Sequence, residues 1–266
     1  MKYGAIFWGT LIILIGVILM AGNLLAVNMW PFLWPAIIIF AGIWLLVWSQ
    51  IRPKSVAGEE VVIPLNGASR AGISIRHGAG RLVLHEGAGP NVLASGSFTG
   101  GLRHTENRRG DALDVEMRVP EDIWMNFGGP WIFGPWTPIL WDVRLNEGIP
   151  MTLDLETGAG ESRLDLSKLK VEEIRLKTGA SSTELTLPAR AGKTRVKVTS
   201  GAASVVLRVP DGVAARIAVE SGLAGITIDQ SRFPRSGSGY QSADYDRAEN
   251  SADIQVETGV GAVEIR

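Results

Sequence analysis

A short phrase of sequence, strand then glycine then strand, is repeated along the chain. In each copy apolar and polar residues alternate on both sides of a glycine, which predicts strands joined at a turn or at a close approach of two backbones. From Gly158 to Gly222 these glycines are 21, 22 and 21 residues apart. The copies cover residues 153–166, 174–187, 196–209, 217–228 and 254–265, and a weaker copy covers residues 73–84. Such a regular period is typical of repeat proteins and predicts an all-β domain.

Charged residues occupy equivalent positions in successive copies, and their signs alternate. The pairs are Asp154 with Arg175, Glu156 with Lys177, and Arg163 with Glu184. If the copies stack in register, each pair lies side by side on the solvent face, where it contributes about 0.2 to 1 kcal/mol. One copy alone buries too little apolar surface to be stable. We therefore expect the copies to stack as the rungs of a β-solenoid.

The beginning of the chain differs in composition from the rest. Two apolar runs, residues 4–22 and 30–48, are each long enough to span a bilayer as a helix. A cleaved signal peptide is the alternative for the first run, but it lacks a convincing cleavage region and the second run follows at once. The sequence therefore predicts a transmembrane helical hairpin at residues 1–54 and a repetitive all-β domain at residues 55–266.

The few charges around the hairpin predict its orientation. Lys2 precedes the first run, Arg52 and Lys54 follow the second, and no charged residue lies between Lys2 and Arg52. Because positive residues favour the cytoplasmic side, both ends of the hairpin, and the β-domain with them, are predicted to be cytoplasmic. We expect a multi-pass protein of the plasma membrane, with the lipid bilayer as one partner.

A polar stretch at residues 100–110 predicts a loop between two strands. It contains a cluster of basic residues, Arg103, His104, Arg108 and Arg109. Clusters of this kind are usually solvated turns, and this interpretation is favoured. The alternative is a site for phosphate or for anionic lipid headgroups, which requires the loop to face a membrane.

A second polar stretch, residues 229–253, predicts a loop inserted between two rungs. It holds Asp244 and Asp246, with Asp253 at its end. Three carboxylates suggest calcium, but their spacing is not that of an EF-hand loop and no glycine occupies its turn position. A solvated surface loop is the favoured interpretation, and no metal site is predicted.

The segment at residues 124–136 is unusual because it combines large aromatic side chains with glycine and proline. It is too rich in glycine and proline for an ordinary strand and too aromatic for a plain surface loop. One interpretation is a cap that protects the end of the stack. The other is an apolar patch that meets the membrane interface or a protein partner. The residues of this candidate interaction patch are Trp124, Phe127, Trp131, Phe133 and Trp136.

No catalytic motif is recognisable in the sequence. Gly78-Ala-Gly80 and Gly158-Ala-Gly160 resemble the start of a dinucleotide fingerprint, but strands follow them where a third glycine and a helix are needed. The absence of cysteine excludes disulfides and thiolate nucleophiles. His77, His85 and His104 carry no signature of a general base. The net charge of −1 argues against a nucleic-acid binder. We expect neither enzymatic activity nor a cofactor.

One resemblance covers the whole chain. The matching segments are Phe7 to Leu19, the turn at Asn23-Leu24, Trp34 to Leu46, the Thr-Gly-Ala-Gly phrases, and the ending from Asp246 to Ile265. Their order resembles that of the LiaF-like, or cell-wall-active antibiotic response, family of bacterial membrane proteins, and the repeats resemble the β-domain called toastrack. The resemblance implies a hairpin that anchors a β-domain and a modulator that restrains a sensor histidine kinase of the envelope-stress response. It implies no catalytic residues.

The leading hypothesis is therefore a membrane-anchored modulator of envelope-stress signalling that acts through protein contacts. The alternative is a structural scaffold or adhesin-like β-repeat protein that binds surface or envelope material. In that case the stack is expected to form homo-oligomers by edge-to-edge growth through its terminal rung, residues 254–265.

Overall fold

The computed structural model describes residues 58–121 and 139–266, together with isolated positions between residues 9 and 39 that are helical. Among the described residues, no helix is both long enough and apolar enough to cross a membrane. Most of the hairpin predicted at residues 4–22 and 30–48 lies outside the described residues, so the hairpin stays a prediction.

The chain divides into two compact units. One comprises residues 1–56 with 122–137, and the other comprises residues 57–121 with 138–266. The isolated helical positions are the described part of the first unit. The second unit, called the β-unit below, contains every strand found among the described residues.

The described residues form thirteen strands in one continuous sheet. They are β1 (Glu59–Pro64), β2 (Arg70–Glu86), β3 (Val92–Phe98), β4 (Arg103–Arg109), β5 (Ala112–Arg118), β6 (Leu140–Leu145), β7 (Pro150–Asp165), β8 (Lys170–Thr186), β9 (Lys193–Arg208), β10 (Ala214–Ile228), β11 (Arg235–Ser236), β12 (Gly239–Gln241) and β13 (Ser251–Ile265). The predicted all-β repeat domain is thus confirmed.

Six of these strands are long, and they are the predicted repeats. They pair in parallel, in the order β2, β7, β8, β9, β13, β10, and the weak copy at residues 73–84 is the full rung β2. The expectation that residues 254–265 form the terminal rung is wrong. The chain passes from β9 to β10 and leaves one place between them, which the C-terminal strand β13 then fills. The terminal rung is β10.

Five of the six long strands bury one face before and after the turn glycine, and β7 shows how. Leu155 and Thr157 are buried before Gly158, whereas Ser162 and Leu164 are buried after it. The buried set therefore changes from odd to even positions at the turn. We infer that each strand bends there and that its two arms fold over a shared core, because among the described residues no other element covers the apolar face.

The register of β7 and β8 places opposite charges side by side on the outer face, as the sequence predicts. Asp154 lies beside Arg175, Glu156 beside Lys177, and Arg163 beside Glu184. The nitrogen Nε of Arg163 lies 3.7 Å from a carboxylate oxygen of Glu184. Opposite charges on adjacent rungs lower the energy of this register. A shift by one residue is disfavoured for a second reason, because it would turn every side chain to the opposite face.

At the first end of the stack the sheet divides. The first arm of β2 pairs with β5 and then β4, and its second arm pairs with β6, β3 and finally β1. The loop predicted at residues 100–110 is mostly the strand β4, so that prediction is wrong. β4 pairs antiparallel with β5, and all seven of its residues are exposed. An edge strand with water on both faces tolerates charged side chains that a central strand excludes.

An aromatic cluster fills the core at this first end. The indole of Trp141 makes edge contacts with the rings of Phe98 and His77, at centroid distances of 5.1 and 5.2 Å. His77 is 2% exposed, and burial lowers the pKa of its imidazole to about 4. Among the described residues, neither its Nε2 nor the Nε1 of Trp141 has a hydrogen-bond partner. His77 is therefore a neutral core residue.

Candidate interaction surface

The residues singled out in the sequence fall into two groups. Trp124, Phe127, Trp131, Phe133 and Trp136 lie outside the described residues, so their role as an interaction patch stays a prediction. Arg103, His104, Arg108 and Arg109 lie on β4, where three of them have local partners. Arg109 pairs with Asp114 at 3.4 Å, His104 lies 3.6 Å from Glu106, and Arg108 donates to the carbonyl oxygens of Asn66 and Gly110.

The polar insertion after β10 covers part of the terminal rung. Its strands β11 and β12 extend the first arm of β10, where Ile217 pairs with Tyr240. Phe233 is fully buried and Tyr245 nearly so, with the guanidinium of Arg216 4.3 Å from the centre of the Tyr245 ring. Asp246 lies 3.5 Å from Arg216. The insertion is thus a partial cap rather than a solvated loop alone.

Within the described part of the chain, the second arm of β10 has no such cover. The described residues place β13 on one side of Leu223–Ile228 and no strand on the other. We call the part of β10 that the insertion leaves uncovered, residues 219–228, the open end. A sheet edge of this kind presents unpaired N–H and C=O groups, which is the usual template for adding another strand.

The hydrogen bonds of β10 show which backbone groups are free. The N–H of Asp229 donates to the carbonyl of Ile265 on β13, at 3.0 Å. Successive residues of a strand point their backbone groups to alternate sides. The N–H and C=O groups of Ala224, Ile226 and Ile228 therefore point to the open edge.

The core is also exposed at the open end. Ile228 continues the row that contains Leu207 and Ile265, which are fully buried, yet Ile228 itself is only half-buried. Ile226 is half-buried in the same way. Leu223, which follows the turn glycine, is 85% exposed. The terminal rung thus ends the stack without completing its core.

A polar row at the bend of the rungs ends in a cleft. In the interior, the hydroxyl of Thr157 donates to that of Thr178 at 3.1 Å, and Ser200 donates to Thr258 at 2.8 Å. The next member of the row, Ser221 on β10, is exposed. It lines an open cleft of about 380 Å³. The remaining lining residues are Thr199, Ser200, Glu220, Gly222, Glu257, Thr258 and Gly259.

The cleft is lined by hydroxyl and carboxylate side chains. Within residues 58–121 and 139–266, no group of three or more His, Asp or Glu residues could hold a metal ion. The cleft offers hydroxyls and two carboxylates, and the side chain of Lys197 holds one of them, Glu257, at 2.7 Å. This ion pair lowers the pKa of Glu257 and keeps it ionised.

Sequence reasoning missed the open end because it assigned the terminal position to β13. One signal was available. Four of the other five copies have alanine after the turn glycine and the fifth has Val260, but the copy on β10 has Leu223. Val260 is 53% exposed and lies beside Leu223 in the register. Leu223 is therefore the sequence feature that distinguishes the copy on β10 from the other five.

Comparison with known proteins supports the fold. A family model described as the N-terminal domain of toast_rack, DUF2154, matches residues 52–208. A crystal structure of a Clostridium sporogenes protein, provisionally described as a cell adhesion protein, matches with a TM-score of 0.70 and 22% sequence identity, over 80% of this chain and 99% of that chain. At this identity the likeness shows the fold alone. No curated protein matches the chain.

The family match covers the described strands from β1 to β9, including four of the six long rungs. It therefore rests on the same repeats that the sequence and the stacked sheet display. Since the matched residues make up more than half of the chain, this protein belongs to the toastrack family of β-repeat proteins.

Proposed function

We propose that this toastrack protein is a membrane-anchored binding protein without enzymatic activity, which modulates envelope-stress signalling by contacting a sensor histidine kinase. The observation that carries the binding role is the open end, where core residues and a strand edge are uncovered within the described residues. Main-chain hydrogen bonds along such an edge bind a protein strand, with neighbouring side chains supplying specificity.

Anchoring in the plasma membrane is supported by the composition of the first unit. No charged residue lies between Lys2 and Arg52. At the described helical positions, the apolar side chains of Ile13, Val17 and Met20 are 66%, 55% and 62% exposed. Apolar side chains that point outward from a helix are stable in lipid and unfavourable in water.

The signalling role extends the resemblance to LiaF-like proteins. Its support is the order of the chain, in which the matching segments at residues 7–19 and 34–46 precede a toastrack domain. A modulator of this type needs a surface for its partner and no catalytic group. With the charge distribution around the hairpin, the proposal puts the β-unit in the cytoplasm.

An adhesin or scaffold is the second proposed function. Its support is the Clostridium sporogenes protein, which shares the fold and is provisionally described as a cell adhesion protein. This role requires the β-unit to lie outside the cell. The two functions therefore differ in one measurable property, the side of the membrane on which the strands lie.

Topology is tested by labelling single cysteines, because the chain contains no cysteine of its own. Ser238→Cys lies at an exposed turn between β11 and β12, and Asp211→Cys replaces a fully exposed side chain. A membrane-impermeant maleimide is applied to intact cells, and lysed cells show that each site is reactive. Protection of both sites in intact cells is the expected result. Labelling in intact cells would contradict the signalling proposal and favour the adhesin.

A second measurement separates a modulator from an inert cytoplasmic protein. Deleting the gene is expected to change the expression of cell-envelope genes under wall-targeting stress, and the wild-type gene restores it. A full-length variant with Ala224→Pro tests the open end, since proline removes one edge N–H. Unchanged expression in the deletion strain would count against the signalling role.

A further inference from the structure

The open end has a free strand edge that can pair with an identical edge. We propose that two copies of this chain associate through β10, with residues 224–228 of each copy pairing antiparallel about a two-fold axis at Ile226. Ala224 of one copy then faces Ile228 of the other. The groups that point to the edge, on Ala224, Ile226 and Ile228, form about six hydrogen bonds in this register.

This register also keeps the faces of the sheet matched. Directly opposite residues of an antiparallel pair lie on the same face. Ala224, Ile226 and Ile228 all belong to the half-buried inner face of β10. Pairing them with one another extends the apolar row of one stack into the row of the second, and covers the core that the terminal rung leaves exposed.

The absence of charge favours a second copy as the occupant of the open end. This inference rests on the proposed binding role of that edge, and it leaves the contact with a sensor kinase to another surface of the protein. From Ser221 to Ile228 the edge contains no charged residue. An edge that meets its own copy brings each of its charges close to a like charge, which is destabilising. The uncharged segment avoids this cost, and its two-fold pairing requires no complementary sequence from another protein.

The opposite end of the stack is a poor partner for β10. The outer strand of the second arm there is β1, whose exposed residues include Glu59, Glu60 and Pro64. Proline has no N–H to donate, and charged edge residues oppose strand addition. Head-to-tail growth into a filament is therefore disfavoured, and a closed dimer is the expected assembly.

The dimer is tested with the full-length protein in detergent micelles. Light scattering coupled to size-exclusion chromatography gives the mass of the protein component over a range of concentrations. A concentration-dependent dimer is expected. Ala224→Pro removes an edge N–H and should weaken association at least about tenfold, whereas the matched control Ala224→Ser retains the N–H and the dimer. Circular dichroism checks that both variants are folded.

Cysteine cross-linking tests the register independently of the proline variant. Opposite hydrogen-bonded residues have Cα atoms about 5.5 Å apart, which suits a disulfide. Ile226→Cys is expected to form an intermolecular disulfide under mild oxidation, and Glu106→Cys, on β4 at the opposite end, is the negative control.

Three outcomes would overturn the proposal. One is a monomer at every concentration. Another is a dimer that Ala224→Pro leaves unchanged and Ile226→Cys does not cross-link, because association would then occur elsewhere in the chain. The third is a disulfide between Ile226→Cys chains and Val62→Cys chains in a mixture, since Val62 is an exposed residue of β1 and this bond marks head-to-tail contact. None of these outcomes bears on whether the β-unit is cytoplasmic.

Discussion

The two ends of the stack treat their exposed strand edges differently. At the first end the outer strands are β4, which has four basic residues and one glutamate, and β1, which has two glutamates and a proline. At the open end the second arm of β10 is uncharged and apolar. Natural sheets block edges with charges, proline and short strands, because free edges aggregate.

Two rows of side chains that run through the stack show the same difference. At the bend, the first rung places His77 beneath Trp141, the interior rungs place hydroxyls, and β10 leaves Ser221 exposed. On the outer face, Glu156 lies beside Lys177, whereas Glu220 on β10 lies beside Glu257, a residue of like charge. The first end therefore has features that oppose the addition of another strand. The open end instead resembles an interior rung, but has no neighbouring strand on one side among the described residues.

The largest predicted contrast between the two regions concerns glycine. Gly160 has φ +137°, and a Cβ there would lie 1.9 Å from the carbonyl oxygen of Gly80 on the neighbouring rung. Gly160→Ala is therefore expected to lower the free energy of unfolding by at least about 3 kcal/mol. Gly225→Ala at the open end is the matched control, because its Cβ meets only the oxygen of Gly261, at 4.0 Å.

Urea unfolding of the full-length protein, followed by circular dichroism, checks this contrast. Gly225→Ala is expected to change the free energy of unfolding by less than about 1 kcal/mol. Equal destabilisation by both substitutions would show that the rungs at the open end are packed as closely as those near the first end.

The rungs were predictable from sequence because their physical cause is local. Alternation about each glycine predicts the two arms, and opposite charges such as Arg163 and Glu184 predict the register. The strand order was only partly predictable. The insertion of β13 between β9 and β10 depends on a connection of more than twenty residues, and alternation is the same for an interior and a terminal rung.

The strand β4 shows a second limit of sequence reasoning. Its residues are polar without alternation, which predicts a loop. Pairing with β5 stabilises the strand, and the turn between them includes Gly110, whose φ is +63°. The open end was missed for a related reason. Whether Ile226 and Ile228 are covered depends on which strand lies next to them, and that is a property of the whole sheet.

The buried histidine of the first end gives the next largest effect. Because the pKa of His77 falls from 6.5 to about 4 on folding, the unfolded chain binds more protons between these values, and stability falls as the pH decreases through this window. By linkage the loss between pH 7 and pH 5 is about 2 kcal/mol. The contribution is absent above pH 7, where the imidazole is neutral in both states.

His77→Phe keeps a ring against Trp141 and removes the titrating group. The variant is expected to lose this part of the pH dependence, measured as the difference between urea midpoints at pH 7 and pH 5. His85→Gln is the control, because His85 is half-exposed, with its Nε2 3.0 Å from Asp142. A wild-type pH dependence in His77→Phe would mean that other groups cause it, and that the first end does not hold a neutral histidine.

The smallest predicted effect concerns the like charges of the open end. Glu220→Lys restores the alternation of sign beside Glu257, and is expected to raise the melting temperature by about 1 °C at low salt, with the gain lost at high salt. The measurement needs a protein concentration at which the chain is monomeric, because a lysine on an edge strand also opposes strand pairing. Glu156→Lys, which places like charges together near the first end, should lower the melting temperature.

If both substitutions changed the melting temperature in the same direction, the rows of charges on the outer face would not explain the difference between the two ends. Glu220→Lys could also stabilise the monomer and weaken the dimer. That result would mean that the terminal rung favours association at the expense of the stability of the isolated chain.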